Sequence, residues 1–315
     1  MPPYHRTCAQ TLGEMRALVE AAARTQVEAE DAFGVDVSEQ YVSPIDGSSR
    51  RIRVVVYRPQ GTRSVLPAFL HIHGGGMVMG RPEMRHASLL STAREIPCLV
   101  ASIDYRLAPE APFPASLEDC YASLRWMHAQ AHAIGIDPRR IAIGGESAGG
   151  GIAAGLALLA RDRGEVPIIV QMLTYPMLDD RTVVANDLPA HLGEFVWGRE
   201  ANRFGWRSLL ACEPGAPAVS PYAAPARCHS LESLPAAFIA VGALDLFLEE
   251  DIEYARRLSR AGVPTEMHLY PGAFHGFDAV PGAEIARVFR MDWLRALRRA
   301  FGTYPDARLR VPRSE

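Results

Sequence analysis

Arg140-Ile-Ala-Ile-Gly-Gly-Glu-Ser-Ala-Gly-Gly150 is the stretch on which the reading of this chain turns. A short apolar run from Arg140 to Ile143 enters Gly145-Glu146-Ser147-Ala148-Gly149, and a segment rich in Ala and Leu follows from Ala148 to Asp162. Strand, tight turn and helix form the setting in which Gly-x-Ser-x-Gly has chemical meaning. Ser147 then sits on a sharp, strained turn that pushes its hydroxyl out at the sheet edge. Gly145 and Gly149 are needed because side chains there would collide across the turn. A glycine-rich connector without chemistry is the plain alternative, and the flanking strand and helix patterns count against it.

Outward from that turn, β-branched or apolar runs alternate with helical patterns. Strands are expected at Arg51 to Tyr57, Leu66 to Ile72, Cys98 to Ile103, Pro167 to Leu173, Ala236 to Val241 and Glu266 to Tyr270. Helices are expected at Glu83 to Glu95, Ala115 to Ala133, Glu249 to Ala261 and Ala283 to Ala300. Strand, helix, strand order with nearly continuous apolar strands predicts an α/β fold, a mostly parallel sheet covered on both faces. Active sites in such folds lie beyond the carboxyl ends of the strands. Ahead of the sheet, Leu12, Met15, Leu18, Val19 and Ala22 recur at helical spacing within residues 9 to 30. From Thr182 to Ser230 no strand is evident. Trp197 and Trp206 fall in a helical pattern there, and Pro214, Pro217, Pro221 and Pro225 crowd together. This insertion is expected to fold over the carboxyl edge beside the N-terminal helix, the alternative being a peripheral loop.

A serine hydroxyl is a weak nucleophile at neutral pH and needs a base, itself oriented by a third group. His275 follows the strand Glu266 to Tyr270, and Asp245 follows the strand Ala236 to Val241, so both fall at the same edge as Ser147. His268, inside its strand, is the competing base; Asp179, Asp180 and Asp251 are alternative acids. Acyl transfer also needs donors for an oxyanion. His71-Ile-His-Gly-Gly-Gly76 ends the strand Leu66 to Ile72, where the amides of Gly74, Gly75 and Gly76 can converge. The Ala148 amide, at a helix start, adds a further donor. Read alone, that glycine run is equally a phosphate nest.

His73-Gly-Gly-Gly76, Asp104-Tyr-Arg-Leu-Ala-Pro-Glu110, Gly145-Glu-Ser-Ala-Gly-Gly150, Asp245 and His275-Gly-Phe277 occur in that order. The set, over roughly residues 45 to 300, resembles the hormone-sensitive-lipase-like carboxylesterases of the α/β-hydrolase superfamily. The resemblance implies an α/β-hydrolase fold with a mostly parallel eight-stranded sheet and a helical cap. It also implies hydrolysis of carboxylic esters, with a preference for short acyl chains, and no cofactor or metal. It divides the chain into N-terminal cap helices (1–45), a catalytic core (46–181 and 231–315) and a cap insertion (182–230). It implies Ser147, Asp245 and His275 as the triad, with Gly75, Gly76 and Ala148 as oxyanion donors and Gly74 shaping their loop. Two features depart from the family pattern: Glu146 stands where most members carry Asp or Thr, and Asp245 is followed by Leu246 and Phe247 instead of Pro and Leu. Asp104 and Arg106 are expected to join loops through an ion pair rather than to act on substrate. An amidase or peptidase on the same scaffold is the nearest rival, and a non-catalytic small-molecule receptor, expected to lack the histidine, the more distant one.

Composition narrows the alternatives. All 33 cationic side chains among the 315 residues are arginine. Without lysine there is no Walker A loop, pyridoxal Schiff base, protein-kinase lysine or Ser-Lys dyad. Arginine does not accept a proton near neutral pH, which leaves histidine as the base. A net charge of -3 is no field for collecting polyanions, so a nucleic-acid partner is not expected; the expected partner is a small ester. Five cysteines, without a CxxC pair, suggest a reducing compartment. With neither a secretory stretch near Met1 nor a membrane-length apolar run, the expectation is a cytoplasmic protein. Trp197, Trp206, Phe204 and Met77 are candidates for the pocket wall, although aromatics at such spacing are more often cap core than substrate contacts. The C-terminal pattern with Ile285, Val288, Phe289, Trp293 and Leu297 suits packing on the sheet or on a second subunit, as in a homodimer.

Overall fold

Leu66–Ile72 is buried along its entire length, as a strand with neighbours on both edges and helices on both faces must be. The computed structural model, which describes residues 3–47, 49–62 and 64–303, places it third in chain order in an eight-stranded sheet. The strands are β1 (Val35–Val42), β2 (Ile52–Pro59), β3 (Leu66–Ile72), β4 (Leu99–Asp104), β5 (Ile136–Glu146), β6 (Val170–Thr174), β7 (Ala236–Gly242) and β8 (Thr265–Tyr270). Their spatial order is β1-β2-β4-β3-β5-β6-β7-β8. β2 runs antiparallel to β1 and β4, and all other neighbours are parallel.

Seven strands fall where the apolar runs predict them. β1 is the exception, and it belongs to the segment read as N-terminal helices. Only its ends, Val35 and Val42, are buried; Asp36, Ser38, Glu39 and Gln40 lie exposed between them. An edge strand held by its pairing with β2 has no apolar alternation to announce it. The sheet therefore takes chain from before residue 46.

The helices are α1 (Leu12–Ala29), α2 (His86–Glu95), α3 (Ala115–Ala129), α4 (Ala131–Ile134), α5 (Ala148–Arg163), α6 (Arg199–Leu210), α7 (Leu248–Arg260) and α8 (Glu284–Ala300). One sheet face carries α3, α5 and α7, whose Leu117, Ala153, Leu156, Tyr254 and Leu258 share a core with alternate residues of β3, β4 and β5. The other carries α2 and α8, with Leu90, Phe289, Trp293 and Leu297 packed together. The α8 face that suited either the sheet or a second subunit is spent on the sheet: Trp293 meets Phe69 of β3 edge-on at 5.4 Å. Among the described residues no helix is long and apolar enough to cross a membrane.

Where β5 turns into α5, the chain passes against the end of β3 with no room for a side chain. A Cβ on Gly145 would lie 2.1 Å from the Ile72 carbonyl oxygen, and one on Gly149 would lie 2.0 Å from the same atom. Both contacts are with backbone, so neither is relieved by a rotamer change. Gly149→Ala is therefore expected to lower the free energy of unfolding by about 2–3 kcal/mol, in the upper part of the range of overpacking penalties. Urea titration followed by far-UV circular dichroism measures it, and an unchanged midpoint would refute the packing argument.

The first turns of α7 hold two buried acids. Glu250 accepts from the Leu178 amide at 2.7 Å, the Asp179 amide at 3.2 Å and the Thr182 hydroxyl. Asp251 is fully buried, and neither of its carboxyl oxygens has a hydrogen-bond partner. Burial pushes its pKa well above the usual carboxylate value, helped by the neighbouring Glu250 and Asp245 carboxylates. A carboxyl raised in the folded state contributes stability that is complete below its unfolded-state pKa and is lost as pH rises through the folded-state value. Asp251→Asn removes that titration. It should raise the unfolding free energy at about pH 9 by roughly 1–3 kcal/mol, with a smaller gain near pH 5. Equal shifts of the urea midpoint at both pH values would contradict the assignment.

Candidate active site

β5 ends at Glu146, and α5 begins at Ala148, so the whole reversal falls on Ser147. Its backbone sits at φ 57° and ψ -123°, a region that non-glycine residues rarely enter. Neighbouring chain pins it there: the Ser147 amide donates to the Thr174 carbonyl at 2.9 Å, and the Ser147 carbonyl accepts from Met177 and Gly151 at 3.0 Å. The strain aims the hydroxyl away from the sheet edge.

His275 and Asp245 reach that hydroxyl from the ends of β8 and β7. His275 Nε2 lies 2.9 Å from Ser147 Oγ, and His275 Nδ1 lies 2.9 Å from Asp245 Oδ2 and 3.1 Å from Oδ1. Asp245 is completely buried, and its Oδ1 accepts from the Phe247 amide at 3.0 Å. The imidazole is held between two aromatic rings: Tyr175 at 4.6 Å, and Phe247 edge-on at 5.2 Å. Phe247 belongs to the unusual Leu-Phe continuation after Asp245, and it both donates to the Asp245 carboxylate and packs against the His275 ring.

The competing residues are elsewhere. His268 pairs with Glu266 at 2.8 Å, and that carboxylate raises its pKa. Asp179 binds Arg181, and Asp180 is buried under Arg227 at 2.6 Å. Asp251 is fully buried and its carboxyl oxygens have no hydrogen-bond partner, the His275 ring included. Asp104 and Arg106 do not pair with each other as expected: Asp104 meets Arg53 at 3.1 Å, and Arg106 meets Asp119 at 2.7 Å and Asp46 at 2.8 Å. The second motif is thus braced to two different parts of the chain.

The glycine loop after β3 is moulded by buried neighbours. His73 stacks on Tyr105 at 4.2 Å and donates from Nδ1 to the Gly74 carbonyl at 2.8 Å; burial lowers its pKa to about 4, so it is a neutral donor. The Gly75 carbonyl accepts from the Met79 amide at 3.1 Å. Gly75 and Gly76 have φ of 123° and 61°. A Cβ on Gly76 would lie 2.2 Å from the Trp197 ring, and one on Gly205 of α6 would lie 2.6 Å from the Gly76 carbonyl. The insertion thus rests directly on the loop.

Above Ser147 is a cavity of about 290 Å3. Val19, Ala22, Ala23 and Gln26 of α1 line it, together with Trp197, Val196 and Met79. Of the four candidates for the wall only Trp197 lines the cavity. Trp206 and Met77 are core, and Phe204 packs against that core. One end of the cavity is polar. Glu146 receives His71 Nε2 at 3.0 Å and stands 3.3 Å from Arg85 Nε. Burial opposes ionisation of Glu146, yet Arg85 and His71 outweigh it and hold the carboxyl at about 2. Arg85, Tyr175 and Asp278 had no motif to mark them.

A family described as alpha/beta hydrolase fold matches residues 69–279. Esterase LipI of Mycobacterium tuberculosis is 36% identical over 243 residues, 76% of this chain and 74% of that protein. Carboxylesterase NlhH of the same organism is 36% identical over 239 residues, 72% of this chain and 71% of its own length. Among solved structures, a bacterial heroin esterase superposes with a TM-score of 0.86 at 39% identity, covering 92% of each chain. Strand order, nucleophile turn and relatives agree: the chain belongs to the α/β-hydrolase fold family, within its hormone-sensitive-lipase-like carboxylesterase branch.

Proposed function

We propose that the protein hydrolyses small carboxylic esters through an acyl-enzyme on Ser147. The observation that carries the reading is the unbroken line from Ser147 Oγ through the His275 imidazole to the buried Asp245 carboxylate, each contact at 2.9 Å. Ser147 attacks the ester carbonyl as His275 Nε2 takes its proton. Asp245 accepts from Nδ1, which fixes the tautomer and stabilises the imidazolium. The Gly75, Gly76 and Ala148 amides hold the oxyanion, Gly74 shaping their loop. His275 returns the proton to the departing alcohol, and water repeats the cycle on the acyl-enzyme. No cofactor or metal takes part in any of these steps.

Substrate size follows from the walls. At about 290 Å3 the cavity is at the small end of ligand sites, and its α1 side presents Val19, Ala22 and Ala23. In this reading α1 and residues 182–230 are the cap, and short acyl chains are preferred. LipI and NlhH carry esterase names, which supports the same assignment.

Two measurements test the proposal together. Ser147→Ala should lower kcat/KM for p-nitrophenyl butyrate about a thousandfold or more. If most of the turnover survived, another nucleophile would be responsible. Wild-type enzyme given p-nitrophenyl esters from acetate to laurate should be fastest at about two to six acyl carbons; a maximum at ten or more would refute the small-pocket reading while leaving the nucleophile intact.

A further inference from the structure

We propose that Arg85 is a positioning residue that ties the nucleophile turn to the histidine loop and thereby sets the alignment of Ser147 with His275. The inference rests on the acyl-enzyme reading and goes beyond it, because Arg85 belongs to none of the motifs that supply the reacting groups. It ends the short turn Pro82–Arg85 that leads into α2.

Its guanidinium stands between two carboxylates. Arg85 Nη2 donates to Asp278 Oδ2 at 2.5 Å, and Arg85 Nε lies 3.3 Å from Glu146 Oε1. Glu146 is bonded directly to Ser147, and Asp278 follows His275 by three positions. Each carboxylate is braced on its far side. Glu146 Oε2 lies 3.0 Å from His71 Nε2, and His71 Nδ1 lies 2.8 Å from Ser102 Oγ. Asp278 Oδ1 accepts from the Tyr175 hydroxyl at 2.5 Å, and the Tyr175 ring packs on His275 at 4.6 Å. One polar chain thus runs from β4 beneath the glycine loop, past the nucleophile, to the imidazole.

Arg85 is the only cation that bridges the two halves of this chain among the described residues. Asp278 is only 2% exposed and Glu146 16%, so water screens little of their charge. Without a cation between them the two carboxylates repel, and each belongs to one of the two segments: Glu146 adjoins Ser147 in the turn, and Asp278 lies three residues after His275. A guanidinium suits the task because its planar fork holds two acceptors at a fixed angle, which an ammonium does not. A bystander ion pair in the cavity wall would support stability alone and leave the reacting groups where they are.

The test uses the full chain with Arg85→Met, Arg85→Lys, Glu146→Gln, Asp278→Asn, the Glu146→Gln/Asp278→Asn double variant and both single changes and the double in the Arg85→Met background. Readouts are kcat and KM for p-nitrophenyl butyrate, the rate at which a p-nitrophenyl phosphonate modifies Ser147, and the folded fraction from circular dichroism. Per folded molecule, Arg85→Met should lower kcat and the phosphonylation rate together by about ten- to a hundredfold, with KM changed less than about threefold. Arg85→Lys should recover part of the loss. The effects of Glu146→Gln and Asp278→Asn should be non-additive with Arg85 present, because both acids act through the guanidinium; in the Arg85→Met background either change alone should recover part of the lost kcat, because it relieves the repulsion left between the two carboxylates. Wild-type kcat in folded Arg85→Met, or additive effects in the wild-type background, overturns the proposal. The near-isosteric acid variants decide the matter even if Arg85→Met does not fold. A wild-type protein without ester turnover would sink the esterase reading, and phosphonylation of Ser147 would still report on the alignment.

Discussion

Everything at the carboxyl edge of the sheet depends on one close approach, that of the β5–α5 turn to the Ile72 carbonyl at the end of β3. Gly145 and Gly149 both lie against that oxygen. Because neither has a side chain, the nucleophile turn and the glycine loop are neighbours at backbone distance, and donors on both can face one point. The cost is concentrated at Ser147, whose backbone angles are unfavourable and persist because β6 hydrogen-bonds across the turn. Fold and chemistry share this contact: the sheet is anchored where the hydroxyl is presented.

A second organising feature is how buried charge is handled around the site. Asp245 is ionisable and fully buried, yet it faces an imidazole and a backbone amide that suit a carboxylate. Glu146 is kept ionised by Arg85 and His71, whereas Asp251 on α7 has no hydrogen-bond partner and is driven toward its neutral form. Glu146 and Asp251 are thus driven by their surroundings in opposite directions. Burial alone pushes every carboxyl up; the partners decide which ones stay charged.

Much of this is legible in the sequence, and the reason is spacing. The strand-turn-helix context around Ser147 is local, so periodicity reveals it, and Asp245 and His275 each follow a recognisable strand. Long-range pairings carry no such mark. Arg85 meets Asp278 from 193 residues away, and nothing in Pro82-Glu-Met-Arg85 points to that partner. Tyr175 looks like the end of an ordinary strand. β1 was missed because an edge strand with a polar middle lacks alternation, and Trp206 could not be told from Trp197 because both are aromatic residues near one helix. The expected Asp104–Arg106 pair fails for a related reason: each meets opposite charge brought from elsewhere in the chain, Arg53 for Asp104 and Asp119 and Asp46 for Arg106.

The Trp197 ring occupies the space that a side chain on Gly76 would need, and Gly205 of α6 sits against the same residue's carbonyl. The lining of the cavity above Ser147 and the glycine loop beside it are therefore two sides of a single surface. Enlarging the cavity by trimming that indole removes the support that keeps the loop in shape, while adding bulk forces the loop to move. Breadth of substrate and speed of turnover are then not independent traits for this lineage. A change in diet has to be accompanied by a matching change in the loop, or arrive along the α1 wall, where Val19, Ala22 and Ala23 face the cavity from a different part of the chain.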